Sequence, residues 1–336
     1  MSGRRVVLYG LGGTIAMAAR SGGGVSPALS PSDLLAAVPG LVDTGIAVDV
    51  VDFRQVPGAS VSFADLRALA GEIASSAADG VVITQGTDTI EESAYLLDLG
   101  HAGAMPIVVT GAMRNPTLAG ADGPANLLAA IQVAASPAAR DQGCLVVFAD
   151  EIHAARRVRK THATSIATFV SPNGGPLGYV VEGRPTLLTV VPHRTVVPLV
   201  PVGANPARVA LVTVTLDDDG SVLDALSHHV DGLVVAAFGA GHVPVAMIEP
   251  LAELARRVPV ILASRTGAGS TLTSTYGFPG SERDLLGRGL IGAGLLDPFK
   301  SRLLLRSALA AGADLATVSA AFGVAGGYRD PSDWPW

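Results

Sequence analysis

Short β-branched runs alternate with helical patterns along most of this chain of 336 residues. Such alternation is typical of βαβ units, in which crossover helices join parallel strands. Helix start signals lie between the runs, since Ser32 precedes DLLAAV, Ser62 precedes FADLRALAGEI and Thr89 precedes IEESAYLLDL. We therefore predict an α/β fold. The predicted strands are residues 6–9, 48–53, 81–84, 107–110, 145–148, 209–214, 233–237 and 260–263.

A proline-rich stretch at residues 182–208 separates two halves that both show this pattern. Its prolines cannot lie within a central strand or helix, so we interpret the stretch as a linker that can include an edge hairpin. The chain is also longer than one core usually fills. We expect two doubly wound (Rossmann or flavodoxin-like) α/β/α domains, the larger at 1–190 and the smaller at 209–336, with a linker at 191–208. The prolines are Pro185, Pro192, Pro198, Pro201 and Pro206.

Composition excludes several classes of function. Lys and Arg number 23 against 29 Asp and Glu, and a net charge of −6 argues against nucleic acid as a partner. The single cysteine, Cys144, excludes internal disulfides and a multi-cysteine metal site. The sequence has neither an apolar stretch of about 20 residues nor the apolar core of a secretory signal. We expect a cytoplasmic protein that binds neither nucleic acid nor membrane.

Ligands of open parallel sheets bind beyond the carboxyl ends of the strands, so we consider the residues that follow each strand. The first strand ends in YGLGGTIAM, where Ile15 replaces the third glycine of a dinucleotide loop. Thr14 on this glycine turn can be a helix cap or a nucleophile. The third strand is followed by QGTDTIEE. One residue suffices for a cap, so Thr87, Asp88 and Thr89 together favour a functional site.

Two further strand ends contain candidate residues. After the fourth strand, Ala112 can form part of a close-fitting floor, Asp122 begins the next helix, and we interpret Arg114 as a loop anchor rather than a carboxylate ligand. The run HAARRVRK follows the fifth strand and has the charge pattern of a solvated turn. Lys160 at its end differs if it points inward, because a buried lysine loses its proton more easily and can act as a base.

Together these segments resemble the bacterial-type L-asparaginase (asparaginase/glutaminase) family. The matching segments are GGTIA at 12–16, QGTDTIEESAYLLDL at 85–99, TGAMR and ADGPANL within 110–127, and RKTHATSIATF at 159–169. The second half is similar through VVAAFGAGHVP, SRTGAGS and LDPFKSRLLLRSAL. The resemblance implies hydrolysis of L-asparagine to L-aspartate and ammonia without metal or cofactor, with glutamine as a weaker substrate. It also implies a homo-oligomer, commonly a tetramer of intimate dimers.

The resemblance implies site residues one by one. Thr14 matches the nucleophilic threonine. Thr87, Lys160 and Asp88 match the second threonine, lysine and aspartate of the family, and the aspartate also holds the α-amino group of the substrate. The remaining substrate-binding positions are Gly86, Ala112, whose backbone carbonyl grips the side-chain amide, and Glu282, which the neighbouring subunit contributes.

This chain departs from the family pattern in three places. The lid at residues 18–30 has no tyrosine, and glycines occupy residues 22–24. Gly58 and Ala59 replace a Ser-Gln pair that binds the substrate carboxylate, so we expect Ser60 to take over this contact. His242 replaces an asparagine that supports the substrate amino group. A binding role and a loop position without function are equally open for this histidine.

Two other functions remain alternatives to an asparaginase. The chain can be an amidohydrolase for another small amide, or a catalytically inactive amino-acid-binding sensor on the same scaffold. A hydrogen-bonded Thr–Lys–Asp set can remove the proton from a threonine hydroxyl, which is otherwise a weak nucleophile. A sensor needs Asp88 but has no use for Lys160. The presence of both residues therefore favours the enzyme.

Overall fold

The chain divides into two units, Met1–Arg194 and Thr195–Trp336, each held together by its own contacts. The structure is a computed structural model and describes residues 3–19, 25–27, 29–198, 207–226 and 228–336. The predicted lid glycines at 22–24 and the predicted linker residues 199–206 lie outside the described residues. The domain limits at residues 190 and 209 stay a prediction of the sequence.

The first unit contains an eight-stranded sheet and two small antiparallel pairs. Its helices are α1 (Pro31–Ala36), α2 (Phe63–Ala74), α3 (Ile90–Gly100) and α4 (Gly123–Ala134). Its strands are β1 (Arg5–Gly10), β2 (Met17–Ala19), β3 (Val25–Pro27), β4 (Ala47–Asp52), β5 (Gly80–Thr84), β6 (Ile107–Thr110), β7 (Cys144–Phe148), β8 (Glu151–Ala154), β9 (Arg159–Lys160), β10 (Phe169–Val170), β11 (Gly178–Val181) and β12 (Arg184–Leu187).

The order of the large sheet is β12-β11-β8-β7-β6-β5-β1-β4. Strands β4, β1, β5, β6 and β7 are parallel, whereas β8, β11 and β12 extend the sheet with antiparallel pairings. In chain order the five parallel strands lie as 2-1-3-4-5, the flavodoxin-like arrangement. Its switch point, where ligands bind in such sheets, falls between β1 and β5.

Helices cover both faces of this sheet because alternate strand residues point to opposite sides. On β1, Val6 and Leu8 pack in one cluster with Leu34 of α1 and Leu127 of α4. Val7 and Tyr9 belong to a second cluster, which includes residues of α2 and α3. The central strands are buried on both faces, which explains their continuous hydrophobic sequence.

Two of the three predicted helix caps need correction. Ser62 caps α2 and forms a capping box with Asp65, as predicted. Helix α1 begins earlier than predicted, since Ser30 rather than Ser32 accepts the N–H of Asp33 and Pro31 occupies the first turn. Thr89 precedes α3 but its side chain caps nothing. Its hydroxyl instead donates to the carbonyl of Gly58 at 2.8 Å.

The second unit contains a four-stranded parallel sheet in the order β13-β14-β15-β16. One face packs against α5, α6 and α7, and Gly232 on the other face lies against Leu305 of α8. Helices therefore cover both faces of each sheet. This confirms the predicted α/β class, with a larger first and a smaller second domain. The elements are β13 (Val209–Thr213), α5 (Ser221–Leu226), β14 (Gly232–Ala237), α6 (Ile248–Ala255), β15 (Val260–Ser264), α7 (Glu282–Gly287), β16 (Ile291–Gly292), α8 (Pro298–Ala310) and α9 (Leu315–Ala325).

The predicted edge hairpin is present: β11 and β12 pair at the outer edge of the first sheet. Pro185 lies in β12, an edge strand, where a missing backbone N–H breaks no central ladder. In the described part of the chain, none of the helices has the length and apolar character needed to cross a membrane.

The close packing of β5 on α4 can be tested at one glycine. A Cβ at Gly80 would lie 2.0 Å from the carbonyl oxygen of Ala134, whereas a Cβ at Gly71 on α2 would meet open space. We expect Gly80→Ala to lower the free energy of unfolding by about 1–3 kcal/mol through overpacking. The control Gly71→Ala should raise it by about 0.5–1 kcal/mol, because alanine favours the helix. Urea unfolding measures both, and equal stabilities would contradict this packing.

Candidate active site

Three glycines bring three loops into contact at the switch point between β1 and β5. A Cβ at Gly13 would lie 2.1 Å from the backbone nitrogen of Gly86, and a Cβ at Gly58 would lie 2.7 Å from the Gly86 carbonyl oxygen. Gly13 also has a φ of +88°, a conformation that favours glycine. We call these residues the glycine contact. It places the segments that begin at Thr14 and Thr87 side by side.

Thr14 is the first residue of a short 3-10 turn, Thr14–Ala16, directly after the glycine contact. The side chain is half-buried, and within the described residues its hydroxyl makes no side-chain hydrogen bond. Ile15 fixes the turn, because its side chain packs closely against Gly123 at the start of α4. A Cβ added at Gly123 would lie 2.9 Å from the Cγ1 of Ile15. The hydroxyl is therefore held on a rigid turn and remains available for a substrate.

Lys160 lies against the other threonine. Its Nζ donates to Thr87 Oγ1 at 2.9 Å and to Asp88 Oδ1 at 3.2 Å. The Lys160 side chain is only 15% exposed, whereas that of Asp88 is 63% exposed. The lysine therefore points inward, as the sequence left open, and the aspartate can reach both the lysine and a ligand from solvent.

A short hairpin positions this lysine. Strand β9 pairs antiparallel with β10, and Lys160 lies opposite Phe169. The Phe169 ring packs against Phe148 at the end of β7, with 4.7 Å between ring centroids. An aromatic contact therefore connects the hairpin to the large sheet close to the strand ends.

The loop after β6 forms the predicted floor. Ala112 is fully buried, and its carbonyl accepts no hydrogen bond from the described residues. The carboxylate of Asp122 accepts the backbone N–H groups of Met113 at 3.0 Å and Arg114 at 2.8 Å. The Arg114 guanidinium donates to the Gly120 carbonyl at 3.4 Å, which agrees with its interpretation as a loop anchor.

Glu282 and His242 lie together in the second unit, whereas the other seven predicted site residues belong to the first. The buried Glu282 carboxylate accepts the N–H groups of Thr275 at 2.9 Å and Tyr276 at 2.8 Å, and its Oε2 lies 3.3 Å from His242 Nε2. Burial alone would raise the pKa of Glu282, but these hydrogen bonds outweigh it and lower the pKa below the ordinary value. Glu282 is therefore a carboxylate at neutral pH.

Ser60 is exposed at the end of the 3-10 turn Gly58–Ser60, which touches Gly86 through its first residue. Gln85 is not among the predicted site residues, yet it is a fully buried amide that donates to Thr89 Oγ1 at 2.8 Å. The hydrogen bonds from Gln85 to Thr89 and from Thr89 to Gly58 connect the loop after β5 to the loop after β4. In the sequence, the signal for this contact is a glutamine directly after a largely apolar strand.

Two family models match this chain. Residues 5–191 match the family model for the asparaginase N-terminal domain. Residues 208–322 match the model for the glutaminase/asparaginase C-terminal domain. Together the two models span most of the chain.

Individual relatives match nearly the whole length. A probable L-asparaginase of Deinococcus radiodurans is 34% identical over 95% of this chain and 97% of that protein. A glutaminase-asparaginase of Pseudomonas aeruginosa is 34% identical over 90% of this chain and 86% of that protein. The crystal structure of a probable cytoplasmic L-asparaginase from Campylobacter jejuni superimposes with a TM-score of 0.84 at 32% identity, covering 95% of this chain and 99% of that one. The chain therefore belongs to the bacterial-type L-asparaginase family.

Proposed function

We propose that this protein hydrolyses L-asparagine to L-aspartate and ammonia through Thr14 as the nucleophile, with weaker activity on L-glutamine. The observation on which this rests is the inward-pointing Lys160, whose Nζ lies 2.9 Å from Thr87 Oγ1 beside the glycine contact that presents Thr14. The names of the relatives, L-asparaginase and glutaminase-asparaginase, support the choice of substrates.

In the first step, Thr14 Oγ attacks the carbonyl carbon of the side-chain amide. Its proton passes through the Thr87 hydroxyl to Lys160, which acts as a neutral base with Asp88 as its orienting partner. Such proton transfer typically contributes about 10²–10⁴-fold to the rate. Backbone N–H groups of the two glycine turns can stabilise the oxyanion, at about 2.7–4 kcal/mol per donor.

In the second step, the lysine returns the proton to the amide nitrogen, the C–N bond breaks and ammonia leaves. A threonyl ester of aspartate remains. Water attacks this ester while Lys160 takes one of its protons, and the proton then returns to Thr14 as aspartate departs. Asp88 is well placed to bind the substrate ammonium, since its side chain is exposed. Ser60 and the Ala112 carbonyl supply contacts for the carboxylate and the amide, which orient the substrate.

Two substitutions test the catalytic set. We expect Thr14→Val and Lys160→Met each to lower the rate of ammonia release from L-asparagine at least about a hundredfold, because each removes a reacting group. The control Thr44→Val removes a hydroxyl that donates to the Leu41 carbonyl and accepts the N–H of Ile46. This turn precedes the amino end of β4, away from the carboxyl ends of the strands that carry the site, so the variant should keep the full rate.

A coupled ammonia assay with asparagine, glutamine and aspartate gives these rates, and circular dichroism checks the fold. Full activity of either site variant would remove that residue from the mechanism. Wild-type protein that binds asparagine without ammonia release would instead indicate the sensor.

We further propose a homo-oligomer, a tetramer built from intimate dimers, in which Glu282 completes the site of the neighbouring subunit. The ionised carboxylate is buried among hydrogen bonds, and His242 lies 3.3 Å away as its orienting partner. A carboxylate that stays ionised carries the charge that binding of the substrate α-ammonium group requires. The matches at residues 5–191 and 208–322 support the domain limits of 1–190 and 209–336.

Subunit mixing tests the role of Glu282. We expect Thr14→Val and Glu282→Gln each to be nearly inactive alone. In a mixed dimer, however, one site combines an intact Thr14 with an intact partner glutamate. Random reassembly of the two variants should therefore regain about a quarter of the wild-type activity, because half of the dimers are mixed and each has one intact site. No regained activity after verified subunit exchange would assign Glu282 to its own chain.

A cytoplasmic location is the last part of the proposal. It is supported by the likeness to the probable cytoplasmic L-asparaginase of Campylobacter jejuni. Cell fractionation of the native host tests it directly, since the protein should appear with cytoplasmic markers rather than in the periplasmic or secreted fraction.

A further inference from the structure

A second pair of oppositely charged residues lies beside the contact between Lys160 and Asp88. Arg159 Nε is 3.8 Å from Glu91 Oε2, and the two side chains are only 20% and 8% exposed. Glu91 lies in the first turn of α3, three residues after Asp88. The mechanism above uses neither member of this pair.

The pair matters for the position of Lys160 because β9 is not a strand of the large sheet. This strand has two residues, and its ladder partner is β10 rather than a strand of the large sheet. The two segments are therefore joined side chain to side chain. The contacts between residues 87–91 and residues 159–160 include Thr87 with Lys160 at 2.9 Å, Asp88 with Lys160 at 3.2 Å and Glu91 with Arg159 at 3.8 Å.

The first two contacts are poorly suited to hold the lysine in place. The lysine ammonium group is compact and lies at the end of a flexible four-carbon side chain, so it can form hydrogen bonds in many orientations. Its partner Asp88 is largely exposed and must also be free to bind substrate. Glu91 is buried and Arg159 is only 20% exposed, so solvent screens the attraction between their charges less than it screens that of an exposed pair. Of the three contacts, this pair is the one that does not take part in the reaction.

We propose that the Glu91–Arg159 pair is a positioning device that sets β9 against the start of α3 and so holds Lys160 Nζ within hydrogen-bond distance of Thr87. Its effect on turnover rests on the proposed function, whereas its effect on the position of the lysine does not. Both residues are positioning residues, since they act through Lys160 and not on the reacting atoms themselves.

The kinetic test uses Glu91→Gln, Arg159→Met and the double variant. We expect each single variant to lower kcat about ten- to a hundredfold, the loss typical of a catalytic group displaced by about 1 Å. KM should change less than about threefold, because Asp88 and the other substrate contacts remain. The double variant should be no slower than the slower single variant, because both changes break the same pair. Arg159→Lys, which keeps the charge, should regain part of the loss.

The matched control is Asp79→Asn, which weakens the half-exposed pair between Arg4 and Asp79 at 2.6 Å. This pair lies at the amino ends of β1 and β5, the edge of the sheet opposite to the strand ends that carry the site. The variant should leave kcat unchanged. Thermal unfolding of every variant separates loss of position from loss of fold, since kcat is compared per folded molecule.

A crystal structure of the Glu91→Gln protein gives a result that does not depend on activity. We expect Lys160 Nζ to move beyond hydrogen-bond distance of Thr87 Oγ1. An unmoved Nζ, or a kcat equal to that of the wild type, would overturn the positioning role. Wild-type protein without ammonia release would overturn the proposed function instead, and the position of Nζ in the variant would still decide the inference.

Discussion

The site depends on the glycine contact formed by Gly13, Gly58 and Gly86. The topology makes β1 and β5 neighbours, but only backbones without side chains can approach as closely as these loops do. Each glycine is followed within two residues by a group that we assign to the site, namely Thr14, Ser60 and Thr87. A Cβ at any of the three would separate the loops, so the spacing of the functional hydroxyl groups is set by the absence of side chains beside them.

The lysine reaches the same point by a different route. The large sheet supplies the threonines at the ends of parallel strands, whereas Lys160 comes from a two-residue strand outside the sheet. Such a strand has little backbone pairing of its own. Its position depends on side chains, on Phe169 against Phe148 and on the pair of Arg159 and Glu91. The scaffold thus combines a rigid half, fixed by topology and glycine, with a half whose position can be changed by single charged residues.

Much of the fold follows from the sequence, because central parallel strands are buried on both faces and read as continuous β-branched runs. The five predicted strands of the first half lie within one residue of the observed ones. The predicted start of α1 is wrong because Ser30 and Ser32 both suit a cap. Pro31 at the first helical position and Asp33 three residues after Ser30 favour Ser30, so the sequence already contains the signal. The pattern predicts Thr89 as a cap, but its hydroxyl donates to the Gly58 carbonyl in a tertiary contact. The inward direction of Lys160 and the Glu91–Arg159 pair could not be predicted, since both depend on packing between segments about 70 residues apart in the chain.

The central claim is that Thr14 forms the covalent intermediate while the Thr87–Lys160–Asp88 set moves the proton. The most direct test is mass spectrometry of the protein after rapid acid quench during turnover of L-asparagine, followed by proteolysis and peptide sequencing. The account predicts an aspartyl ester on the peptide that contains Thr14, and on the Thr14 oxygen itself. An ester on Thr87 with an unmodified Thr14 would contradict the account.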